Sequence, residues 1–165
     1  MDGVLITQAA LDGQDEPGLE PIDVAVAAAR QFYSLVSHSM KRDINLSLRT
    51  RLGFGVFFYG VSIEAAEHHR VGELAGDVFL GALADVEEAD HGARKFLRFC
   101  QSALEENNAW GPVLHKGRKA YLNWVNGSEV RALELVREML MQAPHPDFRL
   151  APRKSLVRKA LSVLR

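Results

Sequence analysis

Hydrophobic and polar positions follow a helical period over most of this chain. No proline occurs between Pro21 and Pro112, so no proline interrupts a helix there. Within that stretch, residues 52–63 carry no charged side chain. A helix that is apolar on all sides is typically covered by protein on every face. The sequence therefore predicts an all-α fold, a single-domain bundle of about six helices around a central apolar helix.

The first helix is expected to begin near Pro21. Proline is favoured at the opening position of a helix, and Asp23 in the first turn complements the helix dipole. Apolar residues recur at helical spacing from there to residue 40. The predicted buried stripe consists of Ile22, Val26, Ala29, Tyr33, Val36 and Met40.

The later helices are expected to be separated by glycines. Gly92 is predicted to end one helix, and Gly111 to open another that runs to about Val125. Ser128 then fits the capping position of the last core helix. The predicted apolar stripe of that helix is Ala132, Leu133, Val136, Met139 and Leu140.

Residues 44–52 allow two interpretations. Apolar and polar residues alternate there, which indicates a strand, but Ile44, Leu48 and Leu52 also have helical spacing. A helix is preferred, because the alternation stops at Leu52 and no partner strand follows. Gly53 and Gly60 weaken a helix interior, so we expect another backbone to approach closely at these positions.

The two ends of the chain differ from its centre in composition. Residues 1–19 are rich in glycine and acids and predict a loosely ordered arm, and residues 20–142 form the helical core. Residues 143–152 contain three prolines and predict a linker. Residues 153–165 predict a short basic amphipathic helix. Its residues expected to bind a partner are Leu156, Val157, Arg158, Leu161 and Leu164.

Charge and composition point to an ordinary intracellular protein. The net charge of −1 gives no general attraction to nucleic acids or anionic membranes. The N-terminus lacks the basic region of a signal peptide, and the central apolar run is shorter than the roughly 20 residues that span a bilayer. The single cysteine, Cys100, lies on an apolar stripe and predicts a buried thiol. A cytoplasmic location is expected.

A metal site is one candidate for chemistry in this sequence. Glu64 and His68 lie late in the central helix, and Glu88 and His91 share one helical face further on. Carboxylate and imidazole ligands at this spacing occur in di-iron bundles, which need two such motifs and two further glutamates. Only one motif is present here. The preferred interpretation is a solvated acidic face, and no cofactor is expected.

An apolar ligand pocket is the other candidate. Phe54, Phe58 and Tyr59 lie among the aromatic residues of the central helix and could enclose a cavity. Aromatic residues at helical spacing are more often plain core. Trp110, Arg118, Tyr121 and three neighbours at positions 116, 119 and 124 could also grip a single-stranded nucleic acid, but a core interpretation is preferred for them.

The sequence contains no recognisable catalytic motif, so an enzyme is the less favoured class. The first hypothesis is a non-enzymatic helical interaction or regulatory module that forms a homodimer or binds another protein. The alternative is a helical protein that binds a metal or a small apolar molecule through the residues named above. Binding to nucleic acids or membranes is not expected.

Overall fold

The computed structural model describes residues 18–39, 48–83 and 91–144. These residues form six α-helices and one short 3-10 helix, which confirms the predicted all-α bundle. The acidic arm and the C-terminal amphipathic helix, predicted for residues 1–19 and 153–165, lie outside the described residues, apart from positions 18 and 19. The helices are α1 (Pro21–Ser39), α2 (Leu48–His68), α3 (Ala75–Leu83), α4 (His91–Ser102), α5 (Gly111–Val125) and α6 (Glu129–Gln142), with the 3-10 turn at Gly72–Leu74.

Helix α2 is the centre of the bundle, as its uncharged sequence predicts. Every residue from Leu52 to Ala66 is buried. Helices α1, α3, α4, α5 and α6 all contact α2, and its most extensive partner is α5. The helical interpretation of the ambiguous segment is confirmed from Leu48 onward, and residues 44–47 lie outside the described part of the chain. None of the described helices is long and apolar enough to cross a membrane.

Glycines determine how closely α2 and α5 approach. A side chain at Gly60 would collide with the carbonyl oxygen of Leu114, and one at Gly117 would collide with the carbonyl of Phe57. Each helix thus presents a glycine to the backbone of the other. The predicted approach of another backbone is confirmed at Gly60. It is wrong at Gly53, where the nearest atoms belong to side chains, the Met139 sulfur of α6 and the Ala143 methyl group.

The buried face of α1 matches the predicted stripe only in part. Ala29 and Val36 of that stripe are buried, and Met40 lies outside the described residues. The fully buried positions of α1 also include Ala25, Ala28 and Phe32, none of which was in that stripe. Ile22, Val26 and Tyr33 were predicted there and are only half-buried at its edge. Alanines carry little weight in a hydrophobic pattern, yet their small side chains allow close packing of α1, which contacts both α2 and α3. The rings of Phe32 and Phe57 stack with centroids 6.5 Å apart across the contact with α2.

Helix α4 begins at His91, so the predicted boundary at Gly92 is wrong. Gly92 is the second residue of this helix, and it is buried. One face of α4 carries Phe96, whose ring fills the space left by the missing side chain of Gly55 on α2. The opposite face is exposed and basic. The predicted N-cap residue of α6, Ser128, occupies that position, but its side chain makes no capping hydrogen bond.

Candidate functional site

The residues of the predicted metal site do not form a ligand cluster within the described chain. Glu64 and His68 lie on α2, His91 is exposed at the start of α4, and Glu88 lies outside the described residues. Among the residues that the structure describes, no three His, Cys, Asp or Glu side chains are placed to hold a metal ion. The Glu64 carboxylate is instead bound by Arg118.

The Glu64–Arg118 contact joins the C-terminal part of α2 to the middle of α5. Arg118 Nε donates to Glu64 Oε1 at 2.6 Å, and a second guanidinium nitrogen lies 3.2 Å from Glu67 Oε2. The Glu64 side chain is only 11% exposed, so its charge has lost most of its contact with water. The guanidinium supplies the counter-charge. This arrangement holds two helices together, and both of its charged groups are engaged.

Tyr121 lies in the core beside this ion pair. Its hydroxyl is buried and has no hydrogen-bond partner among the described residues. Burial, helped by the negative charge of Glu64, raises the pKa of the Tyr121 hydroxyl well above its ordinary value. The ring packs against Phe32 and Trp124. Two of the residues considered for nucleic-acid binding are therefore engaged within the bundle, since Tyr121 lies in the core and Arg118 forms an ion pair.

The predicted ligand-pocket residues are packed against other side chains. Phe54, Phe58 and Tyr59 are all buried, and the rings of Phe54 and Phe58 stack with centroids 5.9 Å apart. Phe58 also lines a small cavity, together with Tyr33 and Ser62, between α1, α2 and α3. Its volume of about 10 Å³ is close to the minimum for one water molecule. This cavity has no room for an apolar ligand.

Cys100 is fully buried on α4, as its position on an apolar stripe predicts. Burial raises the pKa of the Cys100 thiol well above its ordinary value. A nucleophilic cysteine needs the opposite shift, because the thiolate is the reactive form. Cys100 therefore acts as a small apolar residue of the core.

The most exposed apolar side chains of the described bundle lie on α6. Val130 is 73% exposed and Met141 is 80% exposed, while Ala132, Val136 and Met139 of the same helix are buried. Residues that are 11 apart return to nearly the same side of a helix, about 16 Å along its axis. Val130 and Met141 therefore face the same way, on the side of α6 that faces away from the core.

Two charged residues lie between these apolar positions. Glu134 and Arg137 are exposed and follow Val130 at the helical spacings i+4 and i+7. We call the set Val130, Glu134, Arg137 and Met141 the α6 outer face. Helix α6 packs mainly on α5 and only slightly on α2, so it forms an edge of the described bundle. This face was not predicted from the sequence, where its signal is two apolar residues that lie outside the predicted stripe and 11 positions apart.

The C-terminal residues predicted to bind a partner lie outside the described residues, so their surroundings are not part of this site. Comparison of the chain with known protein families, with curated proteins and with solved structures found no match.

Proposed function

We propose that this chain is a non-enzymatic helical interaction module that self-associates, with the α6 outer face as its contact surface. The observation that carries the proposal is the alignment of Val130 and Met141 on one side of an edge helix. Single exposed apolar residues are common on protein surfaces. Val130 and Met141, however, are the two most exposed large apolar side chains of the described bundle, and both lie on one side of one helix.

A second copy of this chain is the simplest partner for that surface. Most oligomers of a single chain are symmetric dimers, in which the same surface of both copies meets. Burying a valine and a methionine from each copy provides apolar contact at both ends of the face. Each such side chain contributes about 1.5–3 kcal/mol when it is fully buried. Glu134 and Arg137, at the centre of the face, then favour the relative orientation of the two copies in which opposite charges meet.

Substitution of one apolar residue tests this proposal. In the full chain, Val130→Asp should weaken self-association at least tenfold, because it removes apolar contact and places a carboxylate in the interface. Sedimentation velocity over a range of protein concentrations measures the effect. The matched control is Leu104→Asp, which changes a 54% exposed leucine in the turn after α4 and should leave association unchanged.

The C-terminal stripe offers a competing surface within the same hypothesis. Leu161→Asp should not change self-association if the α6 outer face carries it. A loss of association in Leu161→Asp but not in Val130→Asp would move the contact to residues 153–165. Wild-type chain that stays monomeric at every concentration would contradict self-association itself.

A further inference from the structure

The α6 outer face has a sequence that is complementary to itself when reversed. Its members are placed symmetrically about the midpoint between Leu135 and Val136. If a second α6 runs antiparallel to the first across this midpoint, Val130 of one copy meets Met141 of the other. In the same register, Glu134 of one copy meets Arg137 of the other. A two-fold axis generates each of these pairs twice.

We infer that two copies of this chain pair through antiparallel α6 helices in this register. The inference rests on the proposed self-association and adds the geometry of its interface. This one alignment pairs opposite charges at the centre of the face and brings apolar side chains into contact at both of its ends. In a parallel pairing the same residues would face each other, so that Glu134 would meet Glu134 and Arg137 would meet Arg137, which repel.

The surroundings of α6 are compatible with this contact. The helix has 14 residues, which corresponds to about 21 Å, and the face extends over about 16 Å of that length. Antiparallel helices that cross at about 20° stay in contact over such a distance. Glu134 already accepts a hydrogen bond from Arg131 through Oε2 at 3.0 Å, and its side chain is still 49% exposed. Its second oxygen can therefore accept from a partner copy.

Charge reversal provides a test that is specific to this register. Glu134→Arg alone and Arg137→Glu alone each place like charges in both central pairs, so each should dimerise at least tenfold more weakly than wild type. An equimolar mixture of the two variants restores both pairs, because one copy carries only cations and the other only anions. The mixture should form a heterodimer about as tightly as the wild-type homodimer.

Lys95→Glu is the control for charge reversal, because it changes an exposed lysine on α4 without touching the α6 outer face. Sedimentation velocity on the full-length variants, with circular dichroism to verify their helicity, gives the readout. One outcome would overturn the antiparallel register alone: wild type dimerises, Val130→Asp stays monomeric, and the mixture of the two charge-reversal variants also stays monomeric. The proposed function would then still stand. Monomeric wild type would instead overturn the proposed function, and this inference with it.

Disulfide cross-linking tests the same register without altering charge. Val130→Cys and Met141→Cys variants, mixed and oxidised, should cross-link to each other, because a disulfide requires Cα atoms about 4.4–6.8 Å apart. Each variant alone should give little cross-linked dimer, because like positions are about 16 Å apart in this arrangement. The native Cys100 is fully buried and does not compete. Cross-linking of Val130→Cys to itself would show a parallel pairing and overturn the inference.

Discussion

Gly60 and Gly117 let α2 and α5 pack backbone against backbone. At both positions an added methyl group would meet a carbonyl of the opposite helix and not the end of a flexible side chain. A backbone carbonyl held in a helix cannot move without shifting the whole helix. The expected cost of a larger residue is therefore high at these two sites.

We expect Gly117→Ala to lower the free energy of unfolding by about 1–3 kcal/mol or more, the usual range for overpacking. Urea denaturation measures the change. Gly76→Ala is the matched control, because its added methyl group would meet only the side-chain ends of Leu97 and Gln101, at 3.3 and 3.4 Å. The free energy of unfolding of Gly76→Ala should equal that of wild type or exceed it by up to about 1 kcal/mol, since alanine favours a helix. Equal losses in both variants would contradict close backbone packing as the cause.

The buried Tyr121 hydroxyl should make the folded protein sensitive to alkaline pH. Its pKa is raised in the folded state by burial and by Glu64, and is near 10 in the unfolded chain. Below pH 10 both states keep the proton and stability is unaffected. Above it only the unfolded state ionises, so the free energy of unfolding falls as pH rises.

Tyr121→Phe removes this titration. Between pH 10 and 11 the free energy of unfolding of wild type should fall more steeply than that of the variant, by up to about 1.4 kcal/mol per pH unit. Urea denaturation at several alkaline pH values gives both slopes. At neutral pH the variant should be as stable as wild type or slightly more stable, because the hydroxyl has no hydrogen-bond partner among the described residues. Identical slopes would show that Tyr121 ionises in the folded state as readily as in the unfolded one.

Single residues were predicted unequally well. The expectation of close backbone approach at Gly60 is confirmed, because a glycine weakens a helix interior and is favoured there where a neighbouring backbone leaves no room for a side chain. The pairing of Glu64 with Arg118 was not predicted, since the two residues are 54 positions apart and each has several possible partners. An ion pair between distant helices depends on how those helices pack, which helical periodicity does not specify.

Helices α2 and α5 are also joined by the Arg118 ion pair. Arg118→Ala would leave the Glu64 carboxylate, which is 11% exposed, without its counter-charge. We expect a loss of about 1–3 kcal/mol in the free energy of unfolding, below the 3–5 kcal/mol of a fully buried pair because Arg118 is 30% exposed. Thermal and urea denaturation at neutral pH measure it.

Arg131→Ala is the matched control for Arg118→Ala. Arg131 also contacts two carboxylates, those of Glu134 and Glu138, but all three groups lie on the exposed side of α6. Ion pairs of this kind contribute little to stability, so the control should unfold almost as wild type does. If the two variants lost equal stability, the ion pair between α2 and α5 would have no special role.

The number and order of helices followed from the sequence, whereas their exact faces did not. The uncharged residues 52–63 identified the central helix, because a helix that is apolar on all sides is typically covered by protein on every face. The face of α1 was predicted only in part: Ala29 and Val36 are buried as expected, but Ala25 and Ala28 were missed, since alanines contribute to close packing more than to hydrophobic pattern. The predicted helix end at Gly92 was wrong because Gly92 is the buried second residue of α4, and a single glycine is tolerated within a helical segment.

For the whole molecule, the described bundle encloses a continuous apolar core and leaves one aligned apolar pair outside it, on α6. The metal site and the ligand pocket considered from the sequence both required particular side chains to come together in space. In the structure, Glu64 forms an ion pair with Arg118 instead, and Phe54, Phe58 and Tyr59 pack in the core. In the sequence, Val130 and Met141 differ from core residues only in lying outside the predicted stripe. Their exposure, on which the proposed contact surface rests, became known only with the buried side of α6.

Native mass spectrometry of the full chain at several concentrations tests the central claim most directly. Self-association through α6 predicts a species at twice the chain mass of 18.3 kDa, with no additional mass, that is lost in Val130→Asp and kept in Leu104→Asp. A chain that stays at 18.3 kDa at every concentration, or one that carries extra mass on each monomer, would contradict the claim. In the second case, the added mass would indicate a bound ligand instead of a second copy.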